Sequence, residues 1–270
     1  MSWGPGVSAV IIVLVGLVAG TITIVVRRTA PRLGSVDPAP WSATLSYVAT
    51  AYGIVIGFSI LYLFGAYAGA RSAVGDEATS IGTAFEEVQL FDEAAPDVQH
   101  ALICYARAAS AYDWPAMQEG TSAPEVDDAY ADLVASLGQA QEPPQGTFGP
   151  ATATNVLVQI GSISTARETR LVAATTVLPV LLWALVLGGG LLVVALIFAV
   201  TLPAARRTQS VLVGLAASFT TVLVLLVAAL NSPFSAGSGR VSPALIDQTT
   251  VSMEQSAPEI AGRPCPASGG

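Results

Sequence analysis

The chain has 270 residues, 53% of them hydrophobic and only 11% charged, with arginine as its sole basic residue type apart from one histidine and a formal net charge of −8. So low a charge content excludes an ordinary soluble domain, in which about a quarter of residues are charged. The acidic balance argues against a nucleic-acid partner, because phosphates are repelled rather than bound.

Four stretches carry no charge: residues 3–26, 38–70, 171–205 and 208–239. A bilayer core of about 30 Å, crossed at about 1.5 Å per residue, needs roughly 20 apolar residues. Each stretch is long enough, so the sequence predicts an all-α polytopic membrane protein with four transmembrane helices and the lipid bilayer as its solvent. Residues 1–70 hold the first two helices, 71–172 an acidic helical extramembrane domain, 173–230 the last two helices, and 231–270 a C-terminal segment. Residues 1–26 lack a positive leader and are too long an apolar run for a signal peptide, so they are read as a retained first span.

Span one covers 7–26 and contains Gly16 and Gly20. A basic loop with Arg27, Arg28 and Arg32 follows. Span two, 43–68, holds Gly53, Gly57, Gly65 and Gly69, and no proline or charge interrupts its exit. Its continuation keeps Val74, Ala78, Ile81, Phe85 and Val88 at spacings of four and three, one helical face. After Pro96 a second helix of the domain carries Val98, Ala101, Tyr105, Ala108 and Tyr112, and Pro115 with Gly120 is expected to end or kink it. Ser122 with Glu125 fits a capping box for a third helix that stops at Gly138. Residues 139–149 read as a loop. A fourth helix through Leu157, Ile160 and Ile163 is expected to run unbroken into span three, 173–199. Span four covers 210–230, and the end, 257–270, rich in Pro, Gly and Ser, is expected to lack order.

Fifteen of the acidic residues and four arginines lie in 71–172, giving that segment −11 and the rest of the chain +3. Arginines mark cytoplasmic loops. Arg27, Arg28, Arg32, Arg206 and Arg207 share one side, which puts both termini and the acidic domain outside.

Glycines four apart let helices approach closely. Those at Gly16 and Gly20, Gly53 and Gly57, and Gly65 and Gly69 therefore mark helix packing, either within the chain or in a homo-oligomer. Ile54, Phe58 and Tyr62 share one face of an aromatic-rich span. They are candidate pore-lining residues, a dry ring in an oligomer, or else lipid-facing side chains. Asp76 and Glu77 at the exit of span two, with Arg167 and Arg170 before span three, form a candidate structural charge clamp; the alternative is an ion-binding vestibule. His100 and Cys104 form an i, i+4 pair, but zinc needs three or four ligands, so no metal site is predicted. No cofactor motif and no catalytic set is present: the chain reads as a non-enzyme. Its ion or small-molecule ligand is not specified by any motif. Cys104 and Cys265, if both outside, could form a disulfide.

Several strings, in order, resemble a family of bacterial membrane proteins called bestrophin-like. They are Asp76-Glu77-Ala78, the segment Tyr105 to Met117 with Asp113-Trp114-Pro115, Arg167-Glu168-Thr169-Arg170-Leu171, Leu181-Leu182-Trp183, and Asn231-Ser232-Pro233-Phe234 with Val241-Ser242-Pro243 behind it. Asp113-Trp114 stands where the family commonly has Glu-Trp. The resemblance implies two spans, a helical domain and two more spans. Through a looser link to true bestrophins, which are pentameric anion channels, it implies a channel. True bestrophins place the domain and both termini in the cytosol, opposite to the side given by the arginines. Two functions follow: an oligomeric channel or passive pore, or a non-transporting scaffold, sensor or partner subunit working through the acidic domain.

Overall fold

The computed structural model describes residues 5–29, 37–91, 95–139, 149–235 and 240–266. Arg32 of the first basic loop and positions 140–148 of the expected loop lie outside them. The described residues are helical, with no strand among them. They form two compact units, 1–65 with 177–239 and 66–176 with 240–270.

The first unit contains α1 (Pro5–Thr29), the N-terminal half of α2 (Ala39–Val88), α7 (Val180–Val200) and α8 (Arg206–Leu230). These four helices are long and apolar enough to cross a membrane, and only 17–22% of each apolar window is buried by the chain itself. That ratio suits a lipid solvent, in which apolar side chains need no protein cover. Small residues set the helix contacts. A Cβ on Gly214 of α8 would come 2.9 Å from the Gly16 carbonyl oxygen of α1, and one on Gly20 would come 2.9 Å from Oγ of Ser210. Ser210 donates to the Gly20 carbonyl at 2.8 Å and Ser218 to the Ile12 carbonyl at 3.2 Å. In α7, a Cβ on Gly189 would stand 2.7 Å from the Tyr52 ring. Tyr52, Ile56, Leu63, Leu178, Val186 and Val227 form this unit's core.

The second unit contains the rest of α2, α3 (Ala95–Ala108), a π turn (Ala109–Asp113), α4 (Trp114–Gln118), α5 (Pro124–Gln139), α6 (Gly149–Thr175), α9 (Ala244–Ser256) and α10 (Pro258–Ala261). The seam Val74, Ala78, Ile81, Phe85 and Val88 is buried throughout. Val98, Leu102, Val126, Leu133, Val156, Ile160 and Ile163 are buried as well, and with the seam they make up the unit's apolar interior.

The expected end or kink at Pro115 and Gly120 is present: Pro115 cannot donate to the carbonyl four residues back, the chain widens into the π turn just ahead of it, and α4 ends at Gln118 before Gly120 at a φ of 74°. The structure departs from the sequence reading at three places. α5 begins at Pro124 after Ala123, so no capping box forms from Ser122; Asp113 accepts from the Ala123 N–H at 3.3 Å instead. α6 and α7 are separate helices, because Pro179 cannot continue a helix interior and the Leu178 N–H turns to Oδ1 of Asn231 at 2.6 Å. Within the end expected to lack order, residues 258–261 form α10, and Cys265 is disulfide-bonded to Cys104 across a Cα separation of 5.5 Å.

Candidate functional site

Arg167 and Arg170 lie three residues apart on α6, and therefore on one face. Both reach a cluster of charges inside the second unit. Arg170 is fully buried and grips Glu77 of α2 with two parallel bonds, Nε to Oε2 at 2.9 Å and Nη2 to Oε1 at 3.0 Å. Its Nη2 also donates to Oδ2 of Asp113 at 3.0 Å, and its Nη1 meets Sδ of Met117 at 3.5 Å. The guanidinium lies 4.5 Å from the centre of the Trp114 ring, a cation–π contact. Trp114 is held in turn by its indole N–H, which donates to the Val241 carbonyl at 3.0 Å. Arg167 donates to both oxygens of Asp113, from Nε at 2.8 Å and from Nη2 at 3.1 Å, and its Nη1 reaches Asp127 at the rim. The Tyr105 hydroxyl donates to Oε1 of Glu77 at 2.8 Å.

The buried set is neutral: Glu77 and Asp113 against Arg167 and Arg170. Removing such ions from water costs several kcal/mol each, and the two-point geometry with extra donors offsets that cost. Every oxygen of Glu77 and Asp113 already accepts at least one of these bonds. The arrangement ties α2, α6 and the π turn together as a charge lock. Two groups report the environment. Burial, reinforced by the Glu77 carboxylate, pushes the Tyr105 hydroxyl well above its ordinary pKa. Burial works against the charge on Arg167, but its bonds to Asp113 and Asp127 outweigh it and raise that pKa.

Of the four residues expected in the clamp, Glu77, Arg167 and Arg170 meet here. Asp76 does not: it is exposed and accepts from Ser72 at 3.4 Å. Arg167 pairs with Asp113 and Asp127, not with the acidic pair on α2. Asp113, the shared centre, was missed as a site residue, although the Asp-Trp-Pro string marked its position.

The other candidates lie in the first unit. Ile54, Phe58 and Tyr62 are 54%, 69% and 57% exposed on α2. Gly16 and Gly20 face α8 as described, whereas a Cβ on Gly53, Gly57, Gly65 or Gly69 would meet nothing within 4 Å. The pair of His100 and Cys104, dismissed for want of further ligands, gains a third donor in Cys265.

The Bestrophin-like domain family matches residues 9–246. A search of curated proteins finds no match. Among solved structures, a bacterial bestrophin homolog from Klebsiella pneumoniae phased on zinc is similar at a TM-score of 0.73 with 13% identity, covering 95% of this chain and 100% of that one. A single-substitution variant of a bestrophin homolog from the same organism gives 0.72 and 13%, with 94% and 99% covered. At that identity the likeness shows the fold. The family match spans most of the chain, all four apolar helices included, and the protein is therefore a membrane protein that belongs to the bestrophin-like family.

Proposed function

We propose that the chain assembles as a homo-oligomer around an ion-conducting pore, lined by the face of α2 that carries Ile54, Phe58 and Tyr62. The observation that carries this reading is how unevenly α2 is used. Tyr52, Ile56 and Leu63 are packed inside the first unit, while Ile54, Phe58 and Tyr62 are exposed. Four glycines of the same helix are uncovered, in contrast to Gly16, Gly20, Gly189, Gly190 and Gly214, which sit against neighbouring helices. Lipid contact has no use for repeated glycines; close approach of another helix does. A ring of Ile54, Phe58 and Tyr62 from several copies would form a dry constriction able to gate by dewetting. The acidic domain, at −11, favours cations near the mouth. No ionisable residue interrupts the spans, which suits a passive pore better than a proton-coupled pump.

Purified protein in liposomes should pass small cations above the protein-free background and elute as an oligomer in detergent. A silent monomer would leave the scaffold or sensor function, working through the second unit. For orientation, the arginine pattern puts both termini and the acidic domain outside. Alkaline phosphatase fused after Gly270 should then be active, and a cytosolic fluorescent reporter at that point should be dark; the reverse result places them inside.

A further inference from the structure

A second group of polar side chains gathers where the C-terminal segment crosses α3. His100 and Cys104 lie one turn apart on that helix, and Cys265 follows α10. Donor atoms of the three all lie within 4.8 Å of one another. Nε2 of His100 is 3.5 Å from Sγ of Cys104. A tetrahedral zinc ion with bonds of about 2.3 Å to sulfur and about 2.0–2.1 Å to nitrogen holds those two atoms about 3.6 Å apart. The pair already stands at the separation that a shared metal requires.

We propose that the Cys104–Cys265 disulfide and a zinc site are two states of the same three residues. A thiol reductant opens the disulfide: two of its thiols supply two electrons and two protons, become its own disulfide, and leave Cys104 and Cys265 as thiols. Zinc then takes both sulfurs as thiolates, releasing two protons to solvent, and takes the lone pair on Nε2 of His100, which gives up its bond to the Arg263 carbonyl, 3.3 Å away in the disulfide state, as the ring proton passes through solvent from Nε2 to Nδ1. Two thiolates and an imidazole are a donor set suited to zinc, and solvent completes the four-coordinate shell.

The surroundings allow the exchange. Cys104 is buried and fixed within α3, whereas Cys265 lies outside regular secondary structure. The sulfurs must part to roughly 3.8 Å for a shared tetrahedral ion, and that movement falls to Cys265. Arg107, whose Nη1 is 3.8 Å from Sγ of Cys265, sets a positive charge beside that sulfur in the reduced state. Contacts independent of sulfur hold the segment in place meanwhile: Arg107 pairs with Glu254 at 2.7 Å and donates to the Ala261 carbonyl at 3.0 Å, and Arg263 pairs with Asp97 at 2.9 Å. The C-terminal segment thus stays fastened to α3 in either state, by a covalent bond or by a metal.

The test uses the full-length protein in detergent, reduced with a phosphine and titrated with zinc against a chromophoric chelator. Reduced wild type should bind one zinc per chain and unreduced wild type none. His100→Ala, which keeps the disulfide before reduction and so reports its own fold by gel mobility, should bind at least about tenfold more weakly. Cobalt(II) in reduced wild type should give thiolate charge-transfer bands that vanish in Cys265→Ser. The proposal is overturned if reduced wild type, with both thiols alkylatable, takes up no more zinc than the Cys104→Ser/Cys265→Ser double variant. Equal affinity of His100→Ala and wild type would overturn it as well.

Discussion

Asp113→Asn is the sharpest perturbation of the charge lock. Asp113 is fully buried and receives three bonds from two arginines, at 2.8, 3.1 and 3.0 Å. As asparagine it keeps its shape and one acceptor oxygen but loses its charge and turns an NH2 group toward a guanidinium. Of the two arginines, Arg170 would then keep a buried carboxylate in Glu77, while Arg167 would keep only Asp127 at the rim. Breaking a buried pair from one side costs about 3–5 kcal/mol. At about 2–4 °C per kcal/mol for a unit of this size, the melting temperature should fall by roughly 6–20 °C. Asp76→Asn is the matched control, an exposed carboxylate one residue from Glu77 with no ion pair among the described residues, and should change stability by less than about 0.5 kcal/mol. Thermal melts of detergent-solubilised protein, followed by loss of the folded elution peak, compare the two. Asp113→Asn melting within about 2 °C of Asp76→Asn would refute the lock as a source of stability.

Three further outcomes follow from the structure. Tyr105 has a raised pKa when folded, so its neutral form is favoured there. The stability it contributes is present below the unfolded value of about 10 and declines as pH rises beyond it, because the unfolded chain then binds fewer protons. Tyr105→Phe should flatten alkaline denaturation above pH 10 or so, measured as melting temperature against pH; an unchanged slope would contradict the assignment. Gly190→Leu should abolish folded protein, since a Cβ there already meets Thr220 at 2.6 Å and the Tyr52 hydroxyl at 2.9 Å. Gly57→Leu should fold yet elute at lower mass, because its own chain leaves that position open while a second copy would not. Loss of folded yield for both, or for neither, would remove the distinction.

The helical plan is legible because lipid imposes it: uncharged runs of more than 20 residues have few other uses. Parts of the lock are legible as well. Glu77 stands three residues after Val74 and four before Ile81, so the seam's own period places it inward, while Asp76 falls outside that pattern. The centre of the lock is not legible in this way. The π turn shifts the helical phase just before Asp113, so counting forward from Tyr105 misplaces it, and nothing local in Asp-Trp-Pro names two arginines more than fifty residues away. The third donor beside His100 and Cys104 is hidden for a similar reason: Cys265 lies 161 residues from Cys104, in a segment whose composition argues against order. Long-range pairing by a few strong contacts leaves no periodic trace.

The pore assignment is tested most directly by ion flux into liposomes from Phe58→Ala, compared with wild type and with Leu191→Ala. Phe58 is 69% exposed on α2 and Leu191 72% exposed on α7, so truncation costs each helix little internal packing. If Phe58 forms part of a dry constriction, its loss widens and wets the ring, and flux should rise above wild type while Leu191→Ala matches wild type. Flux at the protein-free background for wild type and Phe58→Ala alike, from protein that elutes as a monomer, would contradict the account.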